Sequence, residues 1–424
     1  MSAYFFPKMS NLQELHKQVV PVFFDDTQCV PQHVPQHVPH YGQMSQDKYN
    51  ESILINKTLH KYLSSLKSYI DKHEFAWDKY KKYTNPYEFI HTIIPNTRQS
   101  ICTYKPLSRS FFKMIEMSHA LNILQELPAE ACKSFHLAEG PGGFIEALVY
   151  LRKNPKDTYY GMTLLEDNNP NIPGWRKSKK FLDDHPNVII EKGHTGTGDL
   201  MNSRNLIHCY KNYRNQFDLI TGDGGFDFSV HYLSQEMVSA SLILCQISFA
   251  IATQKIGGTF IIKMFDTFTK SSLDLLFLLA NIYETVQFVK PHTSRYANSE
   301  KYIVCKNFHL DDKRRQELMN PLYKAIIAIE CDKERGRIRN LAYLFPFDLP
   351  HYFLNKVEEY NAIFGQQQLE NISMTLNLID NSKNDKLELI KKHNIQKCIN
   401  WCQQFKMEYN AVVQVNNIFL ANKR

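Results

Sequence analysis

The sequence predicts an α/β fold in which helices cover both faces of a doubly wound, mostly parallel sheet. The first observation is that apolar β-type runs alternate with helical runs over residues 108–310, the pattern of successive βαβ units. The second is a glycine-rich turn that directly follows the first of these strands and opens a helix. The third is a set of charged residues near the ends of later elements, where the ligand crevice of such a sheet lies.

Seven strands and three intervening helices are predicted in this segment. The strands, in chain order, are SFHLAE, DTYYGMTL, NVIIEKG, FDLITGD, GTFIIKMF, TVQFVKP and KYIVCKNF. The helices are FIEALVYLRK, SQEMVSASLILCQISFAIATQK and SLDLLFLLANIYE. We therefore place an α/β domain at residues 101–310, between an N-terminal irregular and helical extension (1–100) and a C-terminal helical region (311–424).

The flanking regions have simpler patterns. Residues 1–50 are predicted to be irregular and include the tandem PQHVPQHVPH at 31–40. Proline favours extended structure there, so a linker is a better interpretation than a metal site built from its three histidines. Apolar residues at helical spacing predict one helix before a lysine-rich aromatic stretch and two helices near the C-terminus. These positions are Ile55, Leu59, Leu63, Leu66 and Ile70, then Val357, Tyr360, Phe364 and Leu369, then Ile390, Cys398, Trp401 and Phe405.

Composition restricts the class of protein only broadly. The formal net charge of +7 over 424 residues is a mild basic excess, compatible with nucleic-acid binding without proving it. The nine cysteines contain no CxxC pair, which favours free thiols in a reducing compartment. The N-terminus lacks the layout of a signal peptide, and the apolar run 273–282 is too short to span a bilayer. We expect a cytoplasmic protein with no membrane or metal requirement.

The glycine-rich turn FHLAEGPGGF (135–144) is the clearest candidate for a cofactor site. Its glycines allow close approach to the backbone, and it follows the first parallel strand. No Lys-Ser/Thr follows, which argues against a P-loop, and GPGG does not match the dinucleotide-binding pattern GxGxxG. A tight turn without a ligand is the alternative. The candidate cofactor-binding residues are Glu139, which could accept from a cationic amino group, Gly140, Pro141, Gly142, Gly143 and Phe144.

Asp199, in GTGDLMN after the third predicted strand, is a second acidic candidate. Its carboxylate could accept a hydrogen bond from an exocyclic adenine amine. Ordinary turn chemistry explains a Gly-Asp pair equally well, so both interpretations stay open.

Two lysines occupy apolar surroundings. Lys263 lies near the end of the strand GTFIIKMF, where an ammonium group is usually paired, snorkelled or functional. Asp223 ends the neighbouring strand and is a candidate partner. Lys113 lies on the apolar border of a helix, and Glu300 immediately precedes the last strand. Each residue alone fits a snorkelling lysine or a turn acid, but the four together favour a site. A second ammonium nearby would favour the neutral form of Lys263, making it a base near neutral pH.

Several long motifs resemble the FtsJ-like family of 2′-O-ribose methyltransferases, and within it the cap-specific mRNA enzymes of the Adrift type. The similarity covers residues 108–308 and includes SRSFFKMIEM, HLAEGPGGFIEAL, TGDLM, DLITGDGGFD, GGTFIIKMFD and KPHTSRYANSEKYIVCK. It implies a Rossmann-like methyltransferase fold. It also implies a catalytic Lys-Asp-Lys-Glu tetrad, which falls on Lys113, Asp223, Lys263 and Glu300.

The resemblance implies S-adenosylmethionine as the cofactor, bound by the glycine turn, by GMTL, which contains Thr163, and by Asp199 and Asp223. One departure concerns His136, which stands where many relatives have aspartate. The implied function is methyl transfer to the ribose 2′-oxygen of the first transcribed nucleotides of capped mRNA. The alternatives are a catalytically silent RNA-binding or scaffold protein and a 2′-O-methyltransferase of uncapped RNA.

RNA contact has candidate residues in two basic motifs and one further arginine. The candidates are Arg176, Lys177, Lys179 and Lys180, the arginines of ERGRIRN (Arg335, Arg337 and Arg339), and Arg295. A solvated charged surface is the alternative for both motifs. Association with other capping or transcription machinery is also expected from the resemblance.

Overall fold

A computed structural model describes residues 2–7, 9, 15–24, 52–165, 174–225, 235–335, 340–381 and 383–410. The proline-rich tandem at 31–40, with its histidines, lies outside the described residues, as do Arg337 and Arg339.

A mixed eight-stranded sheet forms the centre of the molecule. The ten strands of the described chain are β1 (Ser2–Phe5), β2 (Val22–Phe23), β3 (Lys133–Leu137), β4 (Thr158–Met162), β5 (Val188–Ile190), β6 (Phe217–Gly222), β7 (Gln254–Met264), β8 (Tyr283–Lys290), β9 (Lys301–Phe308) and β10 (Leu341–Tyr343). The large sheet has the order β1-β8-β9-β7-β6-β3-β4-β5, while β2 and β10 form a separate two-stranded sheet. All seven strands predicted from the sequence are confirmed within a few residues at their ends.

The strand order makes the sheet doubly wound. The chain runs outward from β3 through β4 to β5 and then returns to β6 on the other side of β3, with parallel pairing throughout. β7 continues parallel to β6, whereas β9 is antiparallel to both of its neighbours, β7 and β8. The order therefore reverses between β3 and β6, and their carboxyl ends form the edge of the sheet where ligands bind in such folds. The predicted fold class is confirmed.

Helices cover both faces of this sheet. The described α-helices are α1 (Leu15–Gln18), α2 (Lys57–Asp71), α3 (Glu74–Thr84), α4 (Ser110–Ala120), α5 (Ile123–Glu126), α6 (Gly143–Arg152), α7 (Lys179–Asp184), α8 (Ser203–Tyr213), α9 (Gln235–Thr253), α10 (Lys270–Ile282), α11 (Asp312–Glu334), α12 (His351–Asp380) and α13 (Asn384–Gln404). On β7, Phe260 and Ile262 join the core beneath α9 and α10, while Ile261 joins the core beneath α4 and α6. Because successive side chains of a strand point to opposite faces, a strand buried on both faces has a continuous apolar sequence.

Helix α9 is buried on nearly all sides. Among the described residues it is the one helix long and apolar enough to cross a bilayer by those two criteria, and 94% of its most apolar window is buried inside the protein. A helix that is apolar all round suits the centre of a large core.

The N-terminal prediction was partly wrong. Residues 2–5, expected to be irregular, form β1, which pairs antiparallel with β8 and extends the sheet at its edge. A four-residue strand carries little periodic signal, and its pairing depends on the free edge of β8. The flanking helices also pack on the domain: Val357 and Tyr360 of α12 belong to the same core cluster as Phe260 and Ile262 of β7. Residues on the two sides of position 310 thus share one hydrophobic core.

Candidate active site

Lys113 and Glu300 form a buried ion pair at the edge of the sheet. Helix α4 supplies the lysine, and the loop before β9 supplies the glutamate. The Lys113 Nζ lies 2.6 Å from the Glu300 Oε1, and the two side chains are 5% and 11% exposed. The hydroxyl of Ser294 donates to the same carboxylate oxygen at 2.8 Å. The structure thus joins two residues that the sequence separates by more than one hundred and eighty positions.

Lys263 and Asp223 form the second half of the tetrad, at the ends of the neighbouring strands β7 and β6. The Lys263 Nζ donates to the Asp223 carbonyl oxygen at 2.6 Å and lies 3.3 Å from its Oδ1. These side chains are 12% and 16% exposed, so both retain an open side. Gly225 leaves space beside the ammonium, because a Cβ there would lie 3.2 Å from the Nζ.

Tyr302 connects the two ion pairs and was missed by the sequence analysis. Its hydroxyl donates to the Asp223 Oδ1 at 2.8 Å and accepts from the Lys113 Nζ at 3.2 Å. The residue pairs directly with Lys263 across β7 and β9, so the two lie side by side on the sheet. One signal was available: Tyr302 follows Glu300 by two residues, which places both on the same face of an extended segment.

Burial and charge set the ionisation of the first pair. Burial alone would raise the pKa of Glu300, but the positive charges of Lys113 and Lys263 hold it well below its ordinary value. Burial lowers the pKa of Lys113, and the Glu300 and Asp223 carboxylates partly offset that effect. The geometry therefore keeps Glu300 ionised as the counter-charge of the cluster.

The glycine turn joins β3 to α6, and within the protein Glu139 contacts the start of that helix. Its Oε1 accepts from the backbone N–H groups of Phe144, at 2.6 Å, and Ile145, at 3.2 Å, so it caps the first turn of α6. Gly142 has a φ of +107°, which only glycine adopts without strain. The Phe144 ring is fully buried and its N–H is already bonded, which indicates a packing role for that residue.

The Glu139 carboxyl is nearly inaccessible and, among the described residues, forms no ion pair with a cationic side chain. Burial, followed by the charge of Asp223, raises its pKa to about 8. A cationic ligand group beside it would supply the missing counter-charge.

His136, the position that departs from the family pattern, lies in the sheet beneath the turn. Its Nε2 is 2.8 Å from the Ser134 hydroxyl, and its Nδ1 is 2.8 Å from the hydroxyl of Thr221 on β6. Burial lowers the pKa of His136 to about 3, so the ring is neutral. Both ring nitrogens are bonded within the protein, and the residue links β3 to β6.

Asp199 and Thr163 flank the same edge. The Asp199 Oδ1 accepts from the Met201 N–H at 2.9 Å, the usual arrangement of an aspartate in a turn, and its Oδ2 lies 2.5 Å from the Nζ of Lys333 on α11. Lys333 is 43% exposed, so this ion pair is solvated and weak. Thr163 is buried, with its methyl group facing Gly140. The carboxylate of Asp199 is held in place but remains partly accessible.

The predicted RNA contacts divide into two groups. Arg176, Lys177, Lys179 and Lys180 are all exposed around the start of α7, and their role stays a prediction. Arg295 instead forms a two-point ion pair with the buried Glu88, with its Nε 3.0 Å from Oε2 and a terminal nitrogen 2.5 Å from Oε1. The structure therefore indicates that Arg295 fixes the loop before Glu300.

The fold and this site define the class of protein. A doubly wound sheet with a reversed strand β9, a glycine turn after β3 and carboxylates at the adjacent strand ends form a Rossmann-like methyltransferase domain. Among the described residues, no group of three or more histidine, cysteine or acidic side chains could hold a metal ion.

Residues 106–308 match the model of the FtsJ-like methyltransferase family, and this segment is an FtsJ-like methyltransferase domain. The chain is 30% identical to the cap-specific mRNA (nucleoside-2′-O-)-methyltransferase 2 of Danio rerio, over 73% of this chain and 41% of that protein. It is 32% identical to the cap-specific mRNA (nucleoside-2′-O-)-methyltransferase 1 of Homo sapiens, over 54% and 28%. The chain thus spans less than half the length of these relatives.

A solved structure described as a ribosomal RNA methyltransferase from Plasmodium falciparum aligns with 48% of this chain and 98% of its own, at 20% identity and a TM-score of 0.34.

Proposed function

We propose that the protein transfers a methyl group from S-adenosylmethionine to a ribose 2′-oxygen of capped mRNA, at the first transcribed nucleotides. The observation that carries the proposal is the connected set Glu300–Lys113–Tyr302–Asp223–Lys263 beside the glycine turn. The relatives named above are cap-specific 2′-O-methyltransferases, which supports capped mRNA as the substrate.

The residues at the sheet edge fit the proposed cofactor. S-adenosylmethionine, when bound, supplies an electrophilic methyl group on a sulfonium that is a good leaving group. Three carboxylates suit its cationic groups, its hydroxyls and its exocyclic amine: Glu139 after β3, Asp199 after β5 and Asp223 after β6. The turn leaves no room for side chains, because a Cβ on Gly140 would lie 2.7 Å from the Gly174 carbonyl oxygen.

Lys263 is the proposed base. Its Nζ is positioned by the carbonyl and carboxylate of Asp223 and keeps an open side, from which it can accept the proton of the ribose 2′-hydroxyl. Such proton removal contributes roughly 10²–10⁴ in rate. Lys113 and Glu300 form a fixed ion pair behind Lys263. Tyr302 bonds to both Lys113 and Asp223 and so holds Asp223 in place relative to that ion pair. Alignment of the acceptor oxygen contributes several kcal/mol more.

Several finer points belong to the proposal. A cytoplasmic location fits the buried free cysteines of the described chain. Association with other capping or transcription machinery is expected from the resemblance alone. The sequence also resembles a methyltransferase of African swine fever virus, and from that we propose a viral origin, action in the host cytoplasm and packaging in the virion.

Methyl transfer to matched capped and uncapped RNAs, with the modified nucleotide identified by mass spectrometry, tests the function. We expect 2′-O-methylation near the cap. Equal methylation of capped and uncapped RNA would show that the protein is a 2′-O-methyltransferase without cap specificity. RNA binding without any methyl transfer would favour the scaffold alternative.

A further inference from the structure

The helix pair α2–α3 presents an outer surface of aromatic and lysine side chains. Tyr62 and Tyr69 on α2 are 65% and 48% exposed, and Phe75 at the start of α3 is 97% exposed. Lys61 and Lys72 are exposed beside the two tyrosines. We call these five residues the tyrosine–lysine face. Apolar side chains that are exposed together, with polar residues around them, are typical of interaction surfaces.

The charge of this helix pair favours an anionic partner. Residues 57–84 contain seven lysines against three acidic residues, a formal balance of +4 within a chain whose total is +7. The Lys72 Nζ lies 4.9 Å from the centre of the Tyr69 ring, and the Lys79 Nζ lies 5.1 Å from that of Tyr80. Protein–protein interfaces are depleted in lysine. Aromatic rings interleaved with cations are instead typical of surfaces that bind single-stranded nucleic acid.

The inner side of the helix pair rests on the loops that carry the active site. The Lys67 Nζ lies 3.0 Å from the Asp266 Oδ2, three residues beyond Lys263, and this ion pair is largely buried. The backbone N–H of Leu54, just before α2, donates to the Phe268 carbonyl oxygen at 2.9 Å.

On its other flank, Trp77 of α3 packs in a cluster that includes Ala297, three residues before Glu300. The helix pair therefore packs against the segment that follows Lys263 and against the loop that precedes Glu300, next to the two parts of the chain that carry these tetrad residues.

We propose that the tyrosine–lysine face binds the single-stranded RNA that flanks the methylated nucleotide. The choice of RNA as the ligand rests on the proposed function, whereas the exposed aromatic and lysine side chains are observed independently of it. Tyr62 and Tyr69 lie on the same side of α2, two turns and about 10.5 Å apart along the axis. Their rings stack on bases, and Lys61 and Lys72 contact phosphates, so the contact extends RNA binding beyond the reacting nucleotide without reading its sequence.

Two double variants test the face: Tyr62→Ala with Tyr69→Ala, and Lys61→Gln with Lys72→Gln. Each is assayed for methyl transfer with a long single-stranded capped RNA and with a capped trinucleotide. The tyrosine variant should raise KM for the long RNA by about tenfold or more, since base stacking on an aromatic ring is a substantial part of such binding. The kcat, and both constants for the trinucleotide, should stay unchanged. For the lysine variant, the slope of log affinity against log salt should become shallower by about 1.4 units with single-stranded RNA.

The matched control is Lys153→Gln with Lys156→Gln. These exposed lysines lie between α6 and β4, at the amino end of β4 and thus at the opposite end of the strands from the active site. Like Lys72, Lys153 lies over a tyrosine ring, that of Tyr150. The control should behave as the parent.

The proposal is overturned if the KM of the parent protein does not depend on RNA length. It is also overturned if the KM for the long RNA is unchanged in both test variants, and that result would indicate that the tyrosine–lysine face binds a protein instead. If the parent protein transfers no methyl group, the proposed function fails. RNA binding by the tyrosine–lysine face is then tested separately, by measuring the affinity of the parent and the variants for the long RNA with fluorescence anisotropy. Unweakened RNA binding by the variants would then reject it.

Discussion

Tyr302 donates a 2.8 Å hydrogen bond to the Oδ1 of Asp223, and through it the buried ion pair on one side of the site is connected to the lysine–aspartate pair on the other. The ring is fully buried, and burial followed by the neighbouring Asp223 and Glu300 charges raises its pKa far above the ordinary value. The hydroxyl therefore stays protonated and acts as a fixed donor to Asp223.

Tyr302→Phe removes this donor and keeps the ring in its packing against Phe144. A hydrogen bond to a charged group contributes about 1.5–3 kcal/mol, so kcat should fall roughly 10- to 100-fold if the bond matters mainly in the transition state. Cofactor affinity, measured by calorimetric titration, should change little. A parental kcat would mean that the phenol only fills space.

Lys263→Arg separates a base from an electrostatic anchor. Arginine stays protonated at accessible pH values, so the variant should retain RNA and cofactor binding but lose nearly all methyl transfer. Lys113→Ala and Asp223→Ala should also be severely impaired, because connected residues act as a unit. Single-turnover methyl transfer is the measurement. Retention of a large share of the parental rate by the arginine variant would show that Lys263 is not the base.

Glu139→Gln tests the buried carboxyl of the glycine turn. The pKa of Glu139 is about 8 in the folded protein, against about 4.3 when unfolded. Between these values the folded state keeps a proton that the unfolded state releases, so parental stability relative to the variant should fall as pH rises from about 5 to 8. Denaturant unfolding across this range measures the difference. A difference that is independent of pH would contradict the raised pKa.

The same group links cofactor binding to protonation. A cationic cofactor group beside Glu139 favours the carboxylate, so binding near neutral pH should release a proton. Calorimetry in buffers of different ionisation enthalpy detects this release, and Glu139→Gln is the control that should show none. Binding without proton release by the parent would place the cationic groups elsewhere.

Arg295→Met should destabilise the protein rather than weaken RNA binding. The variant leaves Glu88, which is 1% exposed, without its cation, and breaking a buried pair typically costs about 3–5 kcal/mol. The double variant with Glu88→Gln should recover part of the loss in thermal unfolding. If stability were unchanged and the salt dependence of RNA affinity became shallower, Arg295 would be an RNA contact as the sequence first suggested.

Lys177→Gln with Lys180→Gln tests the exposed cluster at the start of α7. If both lysines contact phosphates, the slope of log RNA affinity against log salt should become shallower by about 1.4 units for a single strand. Fluorescence anisotropy at several salt concentrations gives the slope. An unchanged slope would identify the cluster as solvated surface.

The amino-acid sequence by itself determined the fold class and the four charged residues of the tetrad. Alternating apolar strands and helical runs are readable in short windows, because side-chain periodicity follows from local backbone geometry. Lys263 was conspicuous for a related reason: an ammonium in an otherwise apolar strand needs an explanation that surface lysines do not.

Tertiary structure alone decided which groups meet. Tyr302 and Lys113 are 189 residues apart, and a buried tyrosine on a strand gives no sign of its hydrogen-bond partners. The Glu139 carboxyl accepts hydrogen bonds from the first turn of α6, and only the backbone path of residues 139–145 brings these groups within reach of each other. Arg295 resembled a free cation until Glu88, 207 residues earlier, was placed beside it. Such partners depend on how distant segments pack, because a hydrogen bond or ion pair is decided by distance in space and leaves no period in the sequence.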